Sequence, residues 1–449
     1  MELMFSRKDL KRLIVPLIIE QFLAVAVGMA DIIMVSAAGE SAVSGVSLVD
    51  TINVLLINIF AALATGGAVI TAQYLGKRNR DNARSSANQL ILSSGAISIA
   101  MMVIALIGNR AILQAIFGQV DSSVMRNARI YFFYTALSFP FLSLYNSCAA
   151  LFRAMGNSKV SMFTSLIMNI INIAGNAILI YGAGLGVAGV SIPTLVSRVV
   201  AAVIMLILIR KPIYTISLEK FSFRFNFPMI RQILRIGIPN GLENSMFQIG
   251  KILVMSLIAS FGTAAIAANA VSMTVSGFAT IPGSAIGLAL VTIVGQCVGA
   301  GDYEQAVYYT KKMMKITITA LAFTNLFIFV LAPQIFTLYN LTPETKELAL
   351  TLIRYYNVMC IVFWPLSFTM ANPLRAAGDV KFTMVIAIIS MWVWRVGFSY
   401  ILGNTFGLGV FGVWVAMTMD WIFRGLAFTI RFLKGGWKDK QVITSNMPA

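Results

Sequence analysis

The sequence predicts an all-α integral membrane protein built from two homologous six-helix lobes. The chain is 58% apolar and only 11% charged, which excludes an ordinary soluble globular protein. The stretch ALFRAMGNSKVSM (150–162) returns as NPLRAAGDVKFTM (372–384), so that Arg153 aligns with Arg375. Four further pairs keep this 222-residue spacing to within one residue: Pro16 with Pro239, Glu20 with Glu243, Gly39 with Gly262 and Gln73 with Gln296. Internal duplication of an apolar chain is typical of transporters whose pathway lies between two repeats.

Twelve segments are long enough to span a bilayer, since a transmembrane helix needs about 20 mostly apolar residues. They are 13–36, 51–75, 86–109, 130–151, 160–182, 186–209, 236–260, 266–298, 313–333, 350–372, 382–402 and 409–430. We therefore expect an N-terminal lobe over 1–209, a cytoplasmic linker over 210–235, and a C-terminal lobe over 236–449 with a short basic tail. An amphipathic helix on the membrane surface is the alternative interpretation of 210–235.

Lys and Arg are concentrated on one side of the predicted spans. That side holds 25 of them and the other side holds five. Because cytoplasmic loops are enriched in Lys and Arg, we expect both termini in the cytoplasm. The compact loops and the lack of a recognisable targeting signal favour a prokaryotic plasma membrane protein. This topology accounts for the net charge of +17, so no nucleic-acid partner is needed. The expected partners are the lipid bilayer and small-molecule substrates, and we expect a functional monomer.

Histidine is absent from the sequence, so protonation chemistry near neutral pH must rely on carboxylates. The three cysteines are scattered in apolar segments and form no cluster with metal-ligand spacing. No acidic metal motif or nucleophile elbow is recognisable. We therefore expect neither an enzyme nor a cofactor or resident metal.

Charged residues inside a bilayer cost about 2.5–3.5 kcal/mol each on insertion scales, so each one needs a reason. Those inside the predicted spans are Glu20, Asp31, Arg198, Glu243, Lys251, Arg395, Asp420 and Arg424, with Asp50 at the edge of the second span. Asp420 and Arg424 are four residues apart, which predicts an ion pair within one helix. The position of Asp50 is explained equally well by the membrane interface.

Asp31 belongs to a set of polar residues expected at matched depth. Asn172 and Asn176 lie on one face of the fifth span, continuing from Asn169, and Thr194 lies early in the sixth. One carboxylate, two amides and a hydroxyl could bind a small hard cation, or could surround an exchangeable proton on Asp31. Hydrogen bonding between helices is the alternative. Glu20, on the same helical face as Asp31, could equally pair with a basic residue of a neighbouring helix.

Several stretches carry a family resemblance. They are PLIIEQFLAVAVGMADIIMVS (16–36), TAQYLGKRNRDNA (71–83), NIAGNAILIYGAGLGVAGVSIPT (172–194) and the RAMGN and RAAGD turns. By their order and repetition, the chain resembles the multidrug and toxic compound extrusion (MATE) family over about 10–432. The resemblance implies two lobes related by a pseudo-twofold axis around a central V-shaped cavity. It also implies alternating-access export of organic, often cationic compounds in exchange for Na⁺ or H⁺.

The resemblance also implies roles for individual residues. In the family, an Asp of the first helix anchors the coupling cation, and Asp31 stands at that position. An Asn and an Asp on the fifth helix and a Thr on the sixth assist it. Asn172 and Thr194 match these, but Asn176 stands in place of the Asp. The expected coupling site, Asp31 with Asn172, Asn176 and Thr194, therefore has a single carboxylate that could bind H⁺ or Na⁺.

The seventh span also departs from the family pattern. Phe247 stands where many members have a functional Glu, eight residues after the proline of that span. Glu243 lies four residues after Pro239 and corresponds to Glu20 in the repeat. The candidate substrate contacts are Glu20, Glu243, Asn244, Gln248 and Arg395.

Two other functions stay open. A flippase for lipid-linked oligosaccharides, from the wider superfamily with this fold, would need the cationic cavity that Arg198, Lys251 and Arg395 could supply. A membrane-embedded lipid-modifying enzyme would need clustered catalytic residues near one interface.

Overall fold

The computed structural model describes residues 3–118, 120–219, 221–339, 341–440 and 442–443, and their regular structure is helical throughout. The helices are α1 (Arg7–Ser36), α2 (Glu40–Gly76), α3 (Arg80–Phe117), α4 (Ser122–Leu137), α5 (Phe139–Ala154), α6 (Ser158–Gly182), α7 (Val187–Ile209), α8 (Phe227–Ala259), α9 (Thr263–Ala279), α10 (Ile281–Gly299), α11 (Tyr303–Thr337), α12 (Pro343–Ala376), α13 (Val380–Thr405) and α14 (Gly409–Leu433). A short 3₁₀ turn at Lys438–Lys440 follows.

The predicted helical membrane fold is confirmed, and a helix or a pair of helices lies at each of the twelve predicted spans. In the part of the chain that the structure describes, ten helices are long and apolar enough to cross a bilayer, and the bent pair α4–α5 makes an eleventh. The seventh predicted span is α8, whose 33 residues contain Pro239, Glu243 and Lys251. The protein is therefore an integral membrane protein with twelve helical segments at the predicted places.

Two predicted spans are interrupted. The span predicted over 130–151 bends by 46° between α4 and α5, and the span predicted over 266–298 is divided into α9 and α10 at Thr280. Pro140 and Pro282 lie in the first turns of α5 and α10. Proline has no backbone N–H and is best tolerated at the start of a helix, so each one favours a new helix over a continuous span.

Residues 7–241 form one compact unit, called here the N-terminal unit. Within it α2 packs against α3, α4 and α5, while α6 packs against both α1 and α7. Gly66 allows α2 to lie directly against the first part of α8, because a Cβ there would come within 2.5 Å of the Ile233 carbonyl oxygen. The contacts of α6 bring side chains of α1, α6 and α7 together.

Residues 3–6 and 242–443 form the second compact unit, called here the C-terminal unit. Here α12 packs against α9, α11 and α14, and α14 also packs against α13. Its core contains the buried aromatic residues Tyr356, Trp414 and Trp421. The start of the chain is attached to α11, where the backbone N–H of Phe5 donates to the Tyr309 hydroxyl at 2.8 Å.

The duplicated sequence motif forms the same turn in each unit. Gly156 and Gly378 have φ values of 77° and 97°, which favour glycine. The N–H of Gly156 donates to the Arg153 carbonyl at 2.8 Å, and the N–H of Gly378 donates to the Arg375 carbonyl at 3.0 Å. A left-handed residue of this kind satisfies the free carbonyls at a helix C-terminus. The turn directs the chain from α5 into α6, and from α12 into α13.

Candidate functional site

Asp31, Asn172, Asn176 and Thr194 form one hydrogen-bonded group in the N-terminal unit. The Asn176 amide nitrogen donates to Asp31 Oδ1 at 2.9 Å and to Asn172 Oδ1 at 3.4 Å. The Asn172 amide nitrogen donates to Thr194 Oγ1 at 3.0 Å. The structure thus brings together the four residues that the sequence predicted to lie at one depth.

Helix packing explains how these residues meet. Asn172 and Asn176 are one turn apart on α6 and therefore share a face. Gly175 lies against Pro193 of α7, because a Cβ on this glycine would come within 2.6 Å of the proline Cβ. This close approach brings Thr194, the next residue of α7, within reach of Asn172. The Thr194 hydroxyl donates to the Val190 carbonyl at 2.9 Å, so its lone pairs face Asn172.

The group contains an acceptor that no protein donor uses. Asn176 is fully buried, and its Oδ1 has no hydrogen-bond partner among the described residues. A buried polar atom without a partner is costly, so this oxygen is suited to a ligand. Carboxylate and amide oxygens are the ligands that hard cations prefer. Asn169, one turn before Asn172, stays outside the group and donates weakly to Ser165 Oγ at 3.5 Å.

A second polar group lies close to Asp31, and the sequence reasoning did not find it. Asp50 accepts hydrogen bonds from the Tyr131 hydroxyl at 3.1 Å and from the Asn53 amide at 3.4 Å. Asp50 and Arg198 both interact electrostatically with Asp31. The interfacial interpretation rested on a predicted span that begins at residue 51. Because α2 begins at Glu40, Asp50 lies about three turns inside the helix.

The two repeated glutamates form repeated ion pairs. Glu20 lies 3.4 Å from Arg153 Nη1 and also accepts a 2.8 Å hydrogen bond from the Ser161 hydroxyl. Glu243 lies 2.5 Å from Arg375 Nη2. Both glutamates are buried, and each arginine belongs to the duplicated turn. For Glu20 this is the pairing with a basic residue of a neighbouring helix that the sequence left open.

Arg395 belongs to a cluster of charges in the C-terminal unit. It lies 3.5 Å from Asp420, and Arg424 lies 3.3 Å from the same carboxylate, which confirms the predicted pair within α14. The guanidinium groups of Arg395 and Arg424 lie 5.1 and 5.6 Å from the centre of the Phe247 ring, and Lys251 Nζ lies 5.4 Å from it. Three cations and one carboxylate leave this cluster with two excess positive charges.

The remaining candidate contacts are on α8. Asn244 and Gln248 are half-buried and lie four residues apart, on one face of the helix. They belong to the C-terminal unit with Glu243 and Arg395, whereas Glu20 belongs to the N-terminal unit. The candidate substrate contacts are thus divided between the two compact units.

A protein-family model, MatE, matches both halves of the chain, at residues 16–178 and 239–401. An uncharacterized transporter, YisQ of Bacillus subtilis, is 28% identical over 95% of this chain and 94% of its own length. A probable multidrug resistance protein, NorM of Thermotoga maritima, is 26% identical over 98% of this chain and 94% of its own length.

Solved structures share the fold. One, described as the outward-facing conformation of a multidrug resistance MATE family transporter of the MOP superfamily, has a TM-score of 0.90 at 20% identity. Another is a MOP superfamily transporter from Pyrococcus furiosus, described as having a binding pocket of reverse polarity that suggests a different function; its TM-score is 0.89 at 21% identity. Both matches cover 97% of this chain and 97% of the other.

Proposed function

We propose, since this chain belongs to the MatE family of multidrug and toxic compound extrusion transporters, that it is a secondary active antiporter. It exports organic, amphipathic cations from the cell in exchange for H⁺ or Na⁺. The observation that carries the proposal is the group of Asp31, Asn172, Asn176 and Thr194, which combines a carboxylate with an unused amide oxygen. It needs no cofactor.

Each residue of this group has a distinct role in the proposed mechanism. Asp31 takes the coupling ion, and Asn176 holds one carboxylate oxygen while it offers its own carbonyl oxygen. Asn172 fixes the orientation of Asn176 through a hydrogen bond within α6, and Thr194 fixes Asn172 through the hydrogen bond that links α6 to α7. Binding of H⁺ or Na⁺ neutralises Asp31 and weakens its hold on the Asn176 amide. This change frees α1 to move and releases the substrate outside.

The transporter then reloads from the cytoplasm or the inner leaflet by alternating access. We keep Glu20, Glu243, Asn244, Gln248 and Arg395 as proposed substrate contacts. Because both glutamates are paired with arginines, a cationic substrate must exchange with Arg153 or Arg375 to reach a carboxylate. We further propose that the protein works as a monomer in a bacterial plasma membrane, with both termini in the cytoplasm.

A second candidate function is supported by the charge cluster around Phe247. Lys251, Arg395 and Arg424 lie around this ring, Asp420 pairs with the two arginines only, and an excess of buried positive charge favours an anionic group. A flippase for lipid-linked oligosaccharides would use such a cluster for the phosphates of its substrate. Binding of a lipid-linked sugar that is lost in Lys251→Gln, without any ethidium transport, would support this function.

The test of export uses purified protein in proteoliposomes loaded with ethidium. A pH gradient or a Na⁺ gradient is imposed separately, and ethidium efflux is followed by fluorescence. We expect one gradient to drive efflux, Asp31→Asn to abolish it, and Asp81→Asn, which removes an exposed carboxylate on α3, to leave it unchanged. Gradient-driven efflux that survives in Asp31→Asn would reject the proposed coupling site.

A further inference from the structure

Three helices of the N-terminal unit place charged groups around one tyrosine of a fourth helix. The Tyr131 hydroxyl on α4 donates to Asp50 on α2 at 3.1 Å. The same tyrosine also interacts electrostatically with Asp31 on α1 and with Arg198 on α7. Asp50 and Arg198 are therefore neighbours of the proposed coupling carboxylate, within the same compact unit.

The charges of this group do not cancel. Arg198 Nη1 donates to the Ser138 hydroxyl at 2.7 Å, and the structure shows no ion pair within 4.0 Å for Arg198, Asp31 or Asp50 among the residues it describes. Two carboxylates and one guanidinium carry a net charge of −1 when Tyr131 is neutral. Inside a membrane-spanning unit, such an excess favours the uptake of one positive charge.

Two buried amide oxygens are available beside these carboxylates. Asn176 Oδ1, next to Asp31, and Asn53 Oδ1, next to Asp50, both lack a hydrogen-bond partner in the described part of the chain. Each amide nitrogen donates to the adjacent carboxylate, which fixes the orientation of the amide group. The carbonyl oxygens of both amides are held beside these carboxylates without a donor and remain available to a cation.

We propose that Asp50 is a second carboxylate of the cation site and that Arg198 is its fixed counter-charge. The site then extends from Asp31 and Asn176 to Asp50 and Asn53, and it takes one monovalent cation, Na⁺ or a proton. Arg198 limits the uptake to one charge, since without it the two carboxylates would carry −2. This inference rests on the proposed function. Asp50 then provides a second carboxylate for the site, since the fifth span carries an amide, Asn176, and no carboxylate there.

The test measures cation binding directly, without any exported compound. Full-length protein in lipid nanodiscs is titrated with NaCl by calorimetry at constant ionic strength, and proton uptake is followed with an indicator dye in weak buffer. We expect Asp50→Asn to weaken binding of the preferred ion by roughly tenfold or more, because it removes a nearby negative charge. Arg198→Gln should tighten binding by a similar factor or admit a second ion. Asp50→Glu should retain binding, and Asp81→Asn is the control.

Effects of opposite sign for Asp50→Asn and Arg198→Gln are the signature of a shared charge site, which a merely structural role would not produce. Cation binding by Asp50→Asn equal to that of the unmodified protein would overturn the inference. So would equal weakening in both variants, or no binding of either ion by the unmodified protein. If the opposite effects appear but ethidium is not exported, the export proposal falls and the cation site stands. If export depends on Asp31 but not on Asp50, only this inference falls.

Discussion

The amide of Asn176 donates to Asp31 across 2.9 Å, while the carbonyl oxygen of the same amide has no partner among the described residues. Asn176 is therefore oriented by the carboxylate and by Asn172, and it presents an acceptor beside a negative charge. This asymmetry supports the proposed ion site, because simple bridging between helices would use both ends of the amide.

Asn176→Ala should impair ion-driven ethidium efflux and leave the fold intact. The substitution removes the hydrogen bond to Asp31 and the free oxygen. We therefore expect the rate of efflux to fall by roughly tenfold or more, the effect of losing one ion ligand or its support. Efflux is measured in proteoliposomes and stability by thermal unfolding in detergent. The matched control is Asn169→Ala on the same face of α6, which should transport normally; equal loss in the two variants would contradict the role of Asn176.

The ion pair between Glu243 and Arg375 should be costly to break from one side. Glu243→Gln leaves a buried arginine without its carboxylate, and removal of one partner of a buried pair costs about 3–5 kcal/mol. The double variant Glu243→Gln/Arg375→Met should be less destabilised than the sum of the two single variants. Chemical unfolding in detergent measures the free energies. Simple additivity would show that the two side chains do not interact in the folded protein.

Gly66→Ala should destabilise the N-terminal unit. The added Cβ would meet the backbone carbonyl of Ile233 at 2.5 Å and the N–H of Gly237 at 3.0 Å, and neither backbone atom can move without shifting α8. Overpacking of this kind costs about 1–3 kcal/mol. Gly277→Ala on α9 is the control, because a Cβ there meets nothing within 4 Å. The thermal unfolding midpoint should be lower for Gly66→Ala and unchanged for Gly277→Ala.

Asp420→Asn should destabilise the C-terminal unit more than Asp379→Asn does. Asp420 is fully buried and lies within 3.5 Å of two arginines, whereas the partner of Asp379, Arg431, is 29% exposed and can be hydrated. Loss of the Asp420 carboxylate should cost about 3–5 kcal/mol, and loss of the Asp379 carboxylate should cost less because water can reach Arg431. Unfolding midpoints in detergent compare the two variants, and similar shifts would be evidence against this account of the cluster.

The helical spans were predictable because bilayer thickness fixes the length of apolar segments. The duplication also means that each span in one half has a counterpart in the other. The breaks at Ser138 and Thr280 do not follow from the apolar segments, although Pro140 and Pro282 stand in the sequence just after them. Apolar length alone gives no signal for such a bend.

The Asp31 group could be predicted from depth, since residues at one height on neighbouring helices need only the correct rotation to meet. The partner of each buried charge could not be predicted in this way. Arg153 and Glu20 are 133 residues apart, and their pairing depends on helix rotations that no local pattern encodes. The position of Asp50 inside α2 was not predicted for another reason: α2 begins at Glu40, well before the apolar run from which the span was predicted.

The two Glu–Arg pairs bear on the origin of the chain. Glu20 and Arg153 lie within one compact unit, and Glu243 and Arg375 lie within the other. In each pair the glutamate and the arginine belong to the same half of the chain. A half-length ancestor with this glutamate and this arginine would therefore have paired its own buried carboxylate before the gene was duplicated, which left the other charges of each half free to diverge.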